Sequence, residues 1–415
     1  MENRNIAVID LKAFYSFVEC IDRGLDPFNT PLVVADKERG KNTIVLSVSP
    51  FLKAKGIPSR LRIKELPKNI DYIYAVPRME RYIEKSAEVV RVLLDFVSEE
   101  DIHVYSIDEA FIDITSYLSY YKKTPLELVK MIINSIKEKT GLGATGGIGD
   151  NFFLAKVALD VYAKHEKDGI AILRKKDIKT KLWPITPLHK IWGIGSRTEA
   201  KLNALGINNV GQLATSNRAY FKKVFGIMGE QLIDHANGID ESDIHEQYVP
   251  KETSLSQAQV LFKDYSYLEA PLIIKEMCDD LSSRLRSNHK LAALVSLYIG
   301  YAKEAQGGFA RQMSLLTPTD DTEKLKSALL EIYHKNVKDL PIRNIGINFA
   351  KLKDNNVRQG NIFENMEKEE NEYHLNIAMD HLKDKYGKNI LLKASALLEN
   401  STMIERNNQI GGHRK

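Results

Sequence analysis

Apolar residues recur in two rhythms along the first 170 positions. The short unbroken runs "NIAVID" (5–10), "PLVVAD" (31–36), "NTIVLSVS" (42–49) and "YIYAVP" (72–77) have the length and residue types of strands. Between them, "FYSFVECI" starts a helix and "FLKAKGIPS" makes a short one, stopped by Gly56 and Pro58. "MERYIEKSAEVVRVLLDFV" (79–97) carries an apolar stripe at helical spacing. "TPLELVKMIINSIKEKTGL" (124–142) marks both of its own ends. Thr124 and Glu127 make a capping box, Pro125 suits the first turn and Gly141 the last. "GATGGIG" reads as strand or loop, and "NFFLAKVALDVYAKH" (151–165) as another helix. "HVYSIDEAFIDI" (103–114) alternates like a half-buried strand, yet it holds two adjacent acids, Asp108 and Glu109. Residues 1–170 thus form one α/β or α+β unit.

The rhythm changes from Trp183 to Gly238, where short helices alternate with glycine turns. After Pro250 strands return: "TSLSQAQVLF" (253–262), a helix over 271–287, "KLAALVSLYIGY" (290–301), a helix over 321–336 and "IRNIGINFAKL" (342–352). These fit a β-α-β-β-α-β series, a split βαβ domain with an antiparallel sheet. Residues 354–372 are polar and acidic, as in a linker, and "NIAMDHLKDKYG" is a short helical segment before a polar tail ending in GGHRK.

A chain of 415 residues suits two to four domains of roughly 100–200 residues each. Its net charge of +4 permits a polyanionic partner without demanding one. The two cysteines, Cys20 and Cys278, show no disulfide or zinc spacing and read as buried small residues in a reducing compartment. No leader-like segment opens the sequence, and no apolar run approaches the roughly 18 residues that would cross a bilayer. The expectation is a cytoplasmic protein.

Asp10 ends the first strand, and Asp108 and Glu109 lie on a later one. Clustered carboxylates raise each other's pKa, and a pair of divalent cations would offset that repulsion. Adjacent strand residues point to opposite faces, so Asp108 and Glu109 cannot play equivalent parts. On spacing alone, solvated acids at a strand edge are the better reading. "GLGATG" (141–146) fits GxGxxG, but a helix precedes it where a dinucleotide site needs a strand. "IWGIGSRTEAKLNALGI" (191–207) sets Gly193 and Gly195 before a helix that opens with Ser196 and Arg197. That nest of backbone N–H groups suits a phosphate and resembles a helix-hairpin-helix; a plain glycine turn is the alternative. In "RQGNIFEN" (358–365), Gln359, Ile362 and Phe363 stand as apolar anchors in a polar stretch, similar to the peptide by which bacterial replication proteins dock on the sliding clamp.

Together these pieces resemble the Y-family translesion DNA polymerases over about residues 5–365, in the UmuC/UvrX-like branch of Gram-positive bacteria. "DLKAFYSFVE" (10–19), "SIDEAFID" (106–113) and "GIGDNFFLAKVALDVYAK" (147–164) match three family motifs in order. The resemblance implies an α+β multidomain right-hand polymerase. Its palm would be 1–18 with 76–170, its fingers 19–75 and its helix-hairpin-helix thumb 171–240. A split βαβ little finger would span 248–352, and a tail with the clamp peptide 353–415. Asp10, Asp108, Glu109 and the Leu11 carbonyl would hold two Mg²⁺ ions, with Mn²⁺ as a substitute and Glu109 also beside the primer end. Tyr15 would be the steric gate against ribonucleotides, with Phe14 lining the same pocket. Lys164 would face the triphosphate; Lys156 has a position that helix spacing alone explains. Pro50 and Lys53 stand where many relatives carry Tyr and Arg, so nucleotide contact would fall to Lys53 and to Ser47 or Ser49. Leu46 is bulkier than the small residue of some lesion-tolerant relatives.

The implied partners are primer-template DNA, deoxynucleoside triphosphates and a sliding clamp, with no membrane and a monomeric catalytic subunit. It would be nucleoid-associated during repair. Two other classes compete: a clamp-tethered DNA-binding scaffold, which has no need of core acids, and a nuclease containing the helix-hairpin-helix.

Overall fold

The structure is a computed structural model and describes residues 4–246, 249–250, 252–355 and 366–415. The chain divides into two units, Met1–Gln247 with Arg414–Lys415, and Tyr248–His413.

In the first unit, β1 (Ile6–Leu11) is the middle strand of a five-stranded sheet. Its first four residues are fully buried or nearly so, as its unbroken apolar run requires. After β1 come α1 (Phe14–Asp22), β2 (Leu32–Val34), β3 (Ser47–Val48), α2 (Pro50–Ala54) and β4 (Ile73–Ala75). Strands β2, β3 and β4 make a separate three-stranded sheet. Ser49 caps α2 and Pro50 opens it, a position where the missing N–H costs nothing. The long helix α3 (Met79–Leu94) leads to β5 (Ile102–Val104) and β6 (Glu109–Asp113).

The run 103–114 is therefore a hairpin and not one strand. Tyr105 N and Ser106 N both donate to the Glu109 carbonyl (3.0 Å each), and β5 turns back on β6. Helix α4 (Tyr117–Tyr121) precedes α5 (Pro125–Thr140), whose capping box forms: Thr124 Oγ1 accepts from Glu127 N, and Glu127 accepts from Thr124 N (2.8 Å).

"GATGGIG" becomes β7 (Ala144–Gly149), and α6 (Phe152–Val157) packs on it at close range. A side chain at Gly147 would come within 2.2 Å of the Ala155 carbonyl, and one at Gly149 within 2.2 Å of Ala155 N. The glycines thus serve helix-on-strand packing. Beyond α6 the helix loosens into a π-helical stretch over Ala158–Tyr162 and tightens to a 3₁₀ turn over Ala163–His165. Strand β8 (Ile170–Leu173) closes the sheet in the order β5-β6-β1-β7-β8. Four short helices follow: α7 (Ser196–Ala204), α8 (Val210–Ala214), α9 (Arg218–Phe225) and α10 (Ile227–Ala236).

The second unit runs β9 (Ser254–Tyr265), α11 (Ala270–Ser287), β10 (Lys290–Tyr301), β11 (Gly308–Thr319), α12 (Thr322–Asn336) and β12 (Ile342–Ala350). The strands form an antiparallel sheet in the order β11-β10-β12-β9, with the buried residues of α11 and α12 in its core. The helical segment near the end is longer than its sequence suggests, α13 (Met366–Tyr386). It docks through Asp380, which pairs with the buried Arg286 (2.6 Å). The residues beyond dock too. Glu276 of α11, 2% exposed, accepts from Ser401 Oγ (2.5 Å) and Thr402 N (3.1 Å), just before α14 (Met403–Asn407). Among the described residues, no helix is long and apolar enough to cross a membrane.

Candidate active site

The register of the first sheet gathers the acids. Asp10 on β1 lies directly opposite Glu109 on β6, and Leu11 N donates to the Asp108 carbonyl (2.9 Å). Opposed residues of an antiparallel pair share a face, so Asp10 and Glu109 emerge together with Asp108 in the adjoining turn. Ser106 Oγ donates to Asp108 Oδ1 (2.7 Å) and steadies that turn. Burial, then Asp108, then Glu109 push the Asp10 carboxyl up to about 7, and Lys156 and Lys164 pull it down.

Glu109 is 8% exposed, and the Lys156 ammonium of α6 lies 2.7 Å from its Oε1 and 2.8 Å from its Oε2. Burial raises the Glu109 pKa more than that contact lowers it. Lys156 also reaches Asp160 (3.2 Å) in the π-helical stretch, and Asp160 lies 4.0 Å from Lys164. Lys53 on α2 bears on the same place: burial depresses its ammonium, Asp10 and Asp108 raise it, and Lys164 lowers it.

Beside the acids stands an aromatic group. Tyr15 and Phe14 open α1, with ring centroids 5.6 Å apart, and Tyr15 stacks on Tyr82 of α3 at 4.6 Å. Burial and then the Asp108 charge raise the Tyr15 phenol pKa. The chain enters α1 through Ala13, held in a left-handed conformation at φ 47°. Ser16 Oγ donates to the Ala13 carbonyl (2.9 Å), and the buried Ser47 Oγ lies 3.0 Å from Ser16 Oγ. Ser47 therefore braces the turn beneath the site.

Gly193, Gly195, Ser196 and Arg197 are all exposed. Gly195 caps α7, leaving the first N–H groups of that helix turned outward. Gln359, Ile362 and Phe363 lie outside the described residues.

Three family models match the chain: the impB/mucB/samB family over residues 9–160, the IMS family HHH motif over 175–207, and the impB/mucB/samB C-terminal domain over 252–362. The chain is 35% identical to a protein of Bacillus subtilis (strain 168) named for UV-damage repair, UvrX, over 99% of this chain and 98% of that one. The chain belongs to the Y-family of DNA polymerases. It is likewise 31% identical to DNA polymerase IV 2 of Bacillus subtilis (strain 168), over the full length of both. Its fold matches a solved Y-family chimera of Dbh and Dpo4 at a TM-score of 0.67 and 20% identity, over 85% of this chain and all of that one. The Y-family right hand, its helix-hairpin-helix and its C-terminal little finger are thus all present.

A Y-family polymerase implies a divalent metal, and the donor set fits one. The half-buried Asp10 carboxyl lies among like charges that a cation would relieve. Among the described residues no three ligands converge into a ready-made cage, and Glu109 is paired with Lys156. That buried pair joins residues 47 apart, and helix spacing gave no sign of it.

Proposed function

We propose that the chain is a template-directed DNA polymerase that copies past damaged bases with low fidelity and without proofreading, in DNA repair and damage-induced mutagenesis. The observation that carries this reading is the register that sets Asp10 across from Glu109 with Asp108 in the adjoining turn. Primer-template DNA and deoxynucleoside triphosphates are the substrates. Asp10, Asp108 and the Leu11 carbonyl would hold two Mg²⁺ ions, or Mn²⁺ in their place, which when bound supply charge neutralisation at the attacking and leaving oxygens.

Glu109 serves the primer end, released from Lys156 or shared with it. Lys53 and Lys164 offer point charges to the triphosphate, and lysine in place of arginine forgoes the bidentate fork. The Tyr15 ring, with Phe14 beside it, excludes a ribose 2′-OH. The hydroxyl of Ser47 acts through the Ala13 turn. The fingers amount to a three-stranded sheet and a five-residue helix, little material with which to enclose and check a nascent pair. Gly193, Gly195, Ser196 and Arg197 hold a DNA phosphate at the start of α7, which positions the duplex without reading sequence. Gln359, Ile362 and Phe363 tether a monomeric, cytoplasmic enzyme to the sliding clamp at the nucleoid.

Primer extension with Mg²⁺ and all four deoxynucleotides tests this, comparing wild type with Asp108→Ala on undamaged and damaged templates. Template-dependent extension by the wild type and its loss in the variant are expected. DNA binding without extension by the wild type would replace the polymerase with a scaffold.

A further inference from the structure

A steric gate works only if it cannot swing aside, and Tyr15 is held from behind by Tyr82. Its ring is half-buried and rests on Tyr82, at 4.6 Å between centroids and 26° between planes. Phe14 meets Tyr82 edge-on at 6.3 Å. Tyr82 is fully buried, and its hydroxyl donates to Glu19 Oε1 (2.7 Å).

Glu19 is also fully buried. Arg78 grips it with Nε on Oε1 (2.9 Å) and Nη2 on Oε2 (3.1 Å), and Arg23 pairs with Oε2. Arg78 reaches on to Asp22 (2.8 Å). Tyr15 and Glu19 are four residues apart on α1 and share one of its faces. One side chain of α3 therefore touches both: the Tyr82 ring carries Tyr15, and the Tyr82 hydroxyl is pinned by Glu19. The platform cannot tilt without breaking a hydrogen bond to a charged, buried acceptor. Burying a carboxylate with two guanidiniums gains little stability over an apolar filling, so what it contributes is geometry.

We propose that Glu19, acting through the Tyr82 hydroxyl, positions the Tyr15 ring and so sets how strictly the polymerase rejects ribonucleotides. The inference rests on Tyr15 being the gate. Glu19 and Tyr82 are positioning residues.

The test is single-nucleotide incorporation opposite an undamaged base, with kcat/KM measured for a ribonucleotide and its deoxy counterpart. Wild type is compared with Tyr15→Ala, Tyr82→Phe and Glu19→Gln, with Tm recorded for each. Tyr82→Phe removes one oxygen and keeps the ring, so it carries the test even if Glu19→Gln fails to fold. Losing one hydrogen bond to a charged acceptor should raise the ribo-to-deoxy kcat/KM ratio roughly tenfold in Tyr82→Phe. A purely structural role would lower both kcat/KM values together and leave their ratio unchanged, and that result overturns the proposal. A ratio that rises in Tyr15→Ala but not in Tyr82→Phe overturns it while sparing the gate. A ratio unchanged in Tyr15→Ala removes the gate itself and the inference with it.

Discussion

Replacing Lys156 with Met should cost this protein more stability than an ordinary core substitution. The ammonium sits 2.7–2.8 Å from both Glu109 oxygens, and the two side chains are 9% and 8% exposed. Two opposite charges about 2.8 Å apart attract by roughly 6 kcal/mol at an effective dielectric near 20. Desolvation takes back much of that, but removing only one partner strands a buried charge, at about 3–5 kcal/mol. In a unit of this size each kcal/mol moves Tm by about 2–4 °C, so Lys156→Met should melt roughly 6–20 °C lower at neutral pH. The assay is circular-dichroism melting of the full chain in EDTA. Adding Glu109→Leu should restore most of the loss, since the remaining partner, Asp160, is partly exposed and lies 4.0 Å from Lys164. Mg²⁺ should raise the Tm of Lys156→Met more than that of wild type, because Glu109 is then free to share in a cation site. A Lys156→Met protein that melts with wild type, with or without Mg²⁺, would refute the reasoning.

Other perturbations address other parts of the chain. Burial holds His235, stacked on Phe153 at 4.4 Å, below its usual pKa. Unfolding then takes up a proton, so melting temperatures should start to fall as pH drops through about 6.5. Asp22 is held low by its hydrogen bond from Arg81. Burial pushes Asp280 up, but Lys388, 2.6 Å away, together with Arg406 and Arg284 more than offsets it and holds it low. Their contribution is complete above the usual carboxylate value near 4 and is lost below it, which predicts a second, steeper fall there. Changing Gln359, Ile362 and Phe363 together to Ala should abolish stimulation by the clamp and leave distributive synthesis intact; equal stimulation of that variant would show that the tether lies elsewhere.

Local rules made much of the fold legible, and the misses have local causes. The capping box at Thr124 and Glu127 formed because all its groups lie within one turn. The hairpin in 103–114 was hidden because Tyr105, Ile107 and Phe111 keep up the alternation of a single strand, while the turn is closed by backbone bonds to the Glu109 carbonyl. Helical spacing in 151–165 predicts one continuous helix and cannot show the π-helical stretch that sets Asp160 between two lysines. Strand β11 was implied by the β-α-β-β-α-β series but not located, since only alternate residues of "GFARQMSLLT" are partly covered. The tail looked polar because it docks through polar groups, Asp380 on Arg286 and Thr402 on Glu276, which no hydrophobic pattern reports. The acids and Tyr15 stand in motifs that name them as candidates, and the structure sets the acids on paired strands. The Glu109–Lys156 pair and the Glu19–Tyr82 link join segments far apart in the chain and became visible only when the helices were placed.

The pairing of β1 also bears on how preparations of this protein can be judged. Strand β1 is bonded on both sides, with Asp10 opposite Glu109 on one neighbour and Thr145 on the other. A slip of one residue would exchange Ile6 and Val8 with Ala7 and Ile9 between the two buried faces, misfitting both sides, and swing Asp10 to the far side of the sheet. The interactions that keep the strand in place are thus the ones that assemble the acids. Counting active sites with a single-turnover burst should therefore double as a measure of folding yield: molecules that fold with the strand in place contribute to the burst, and those that do not are silent.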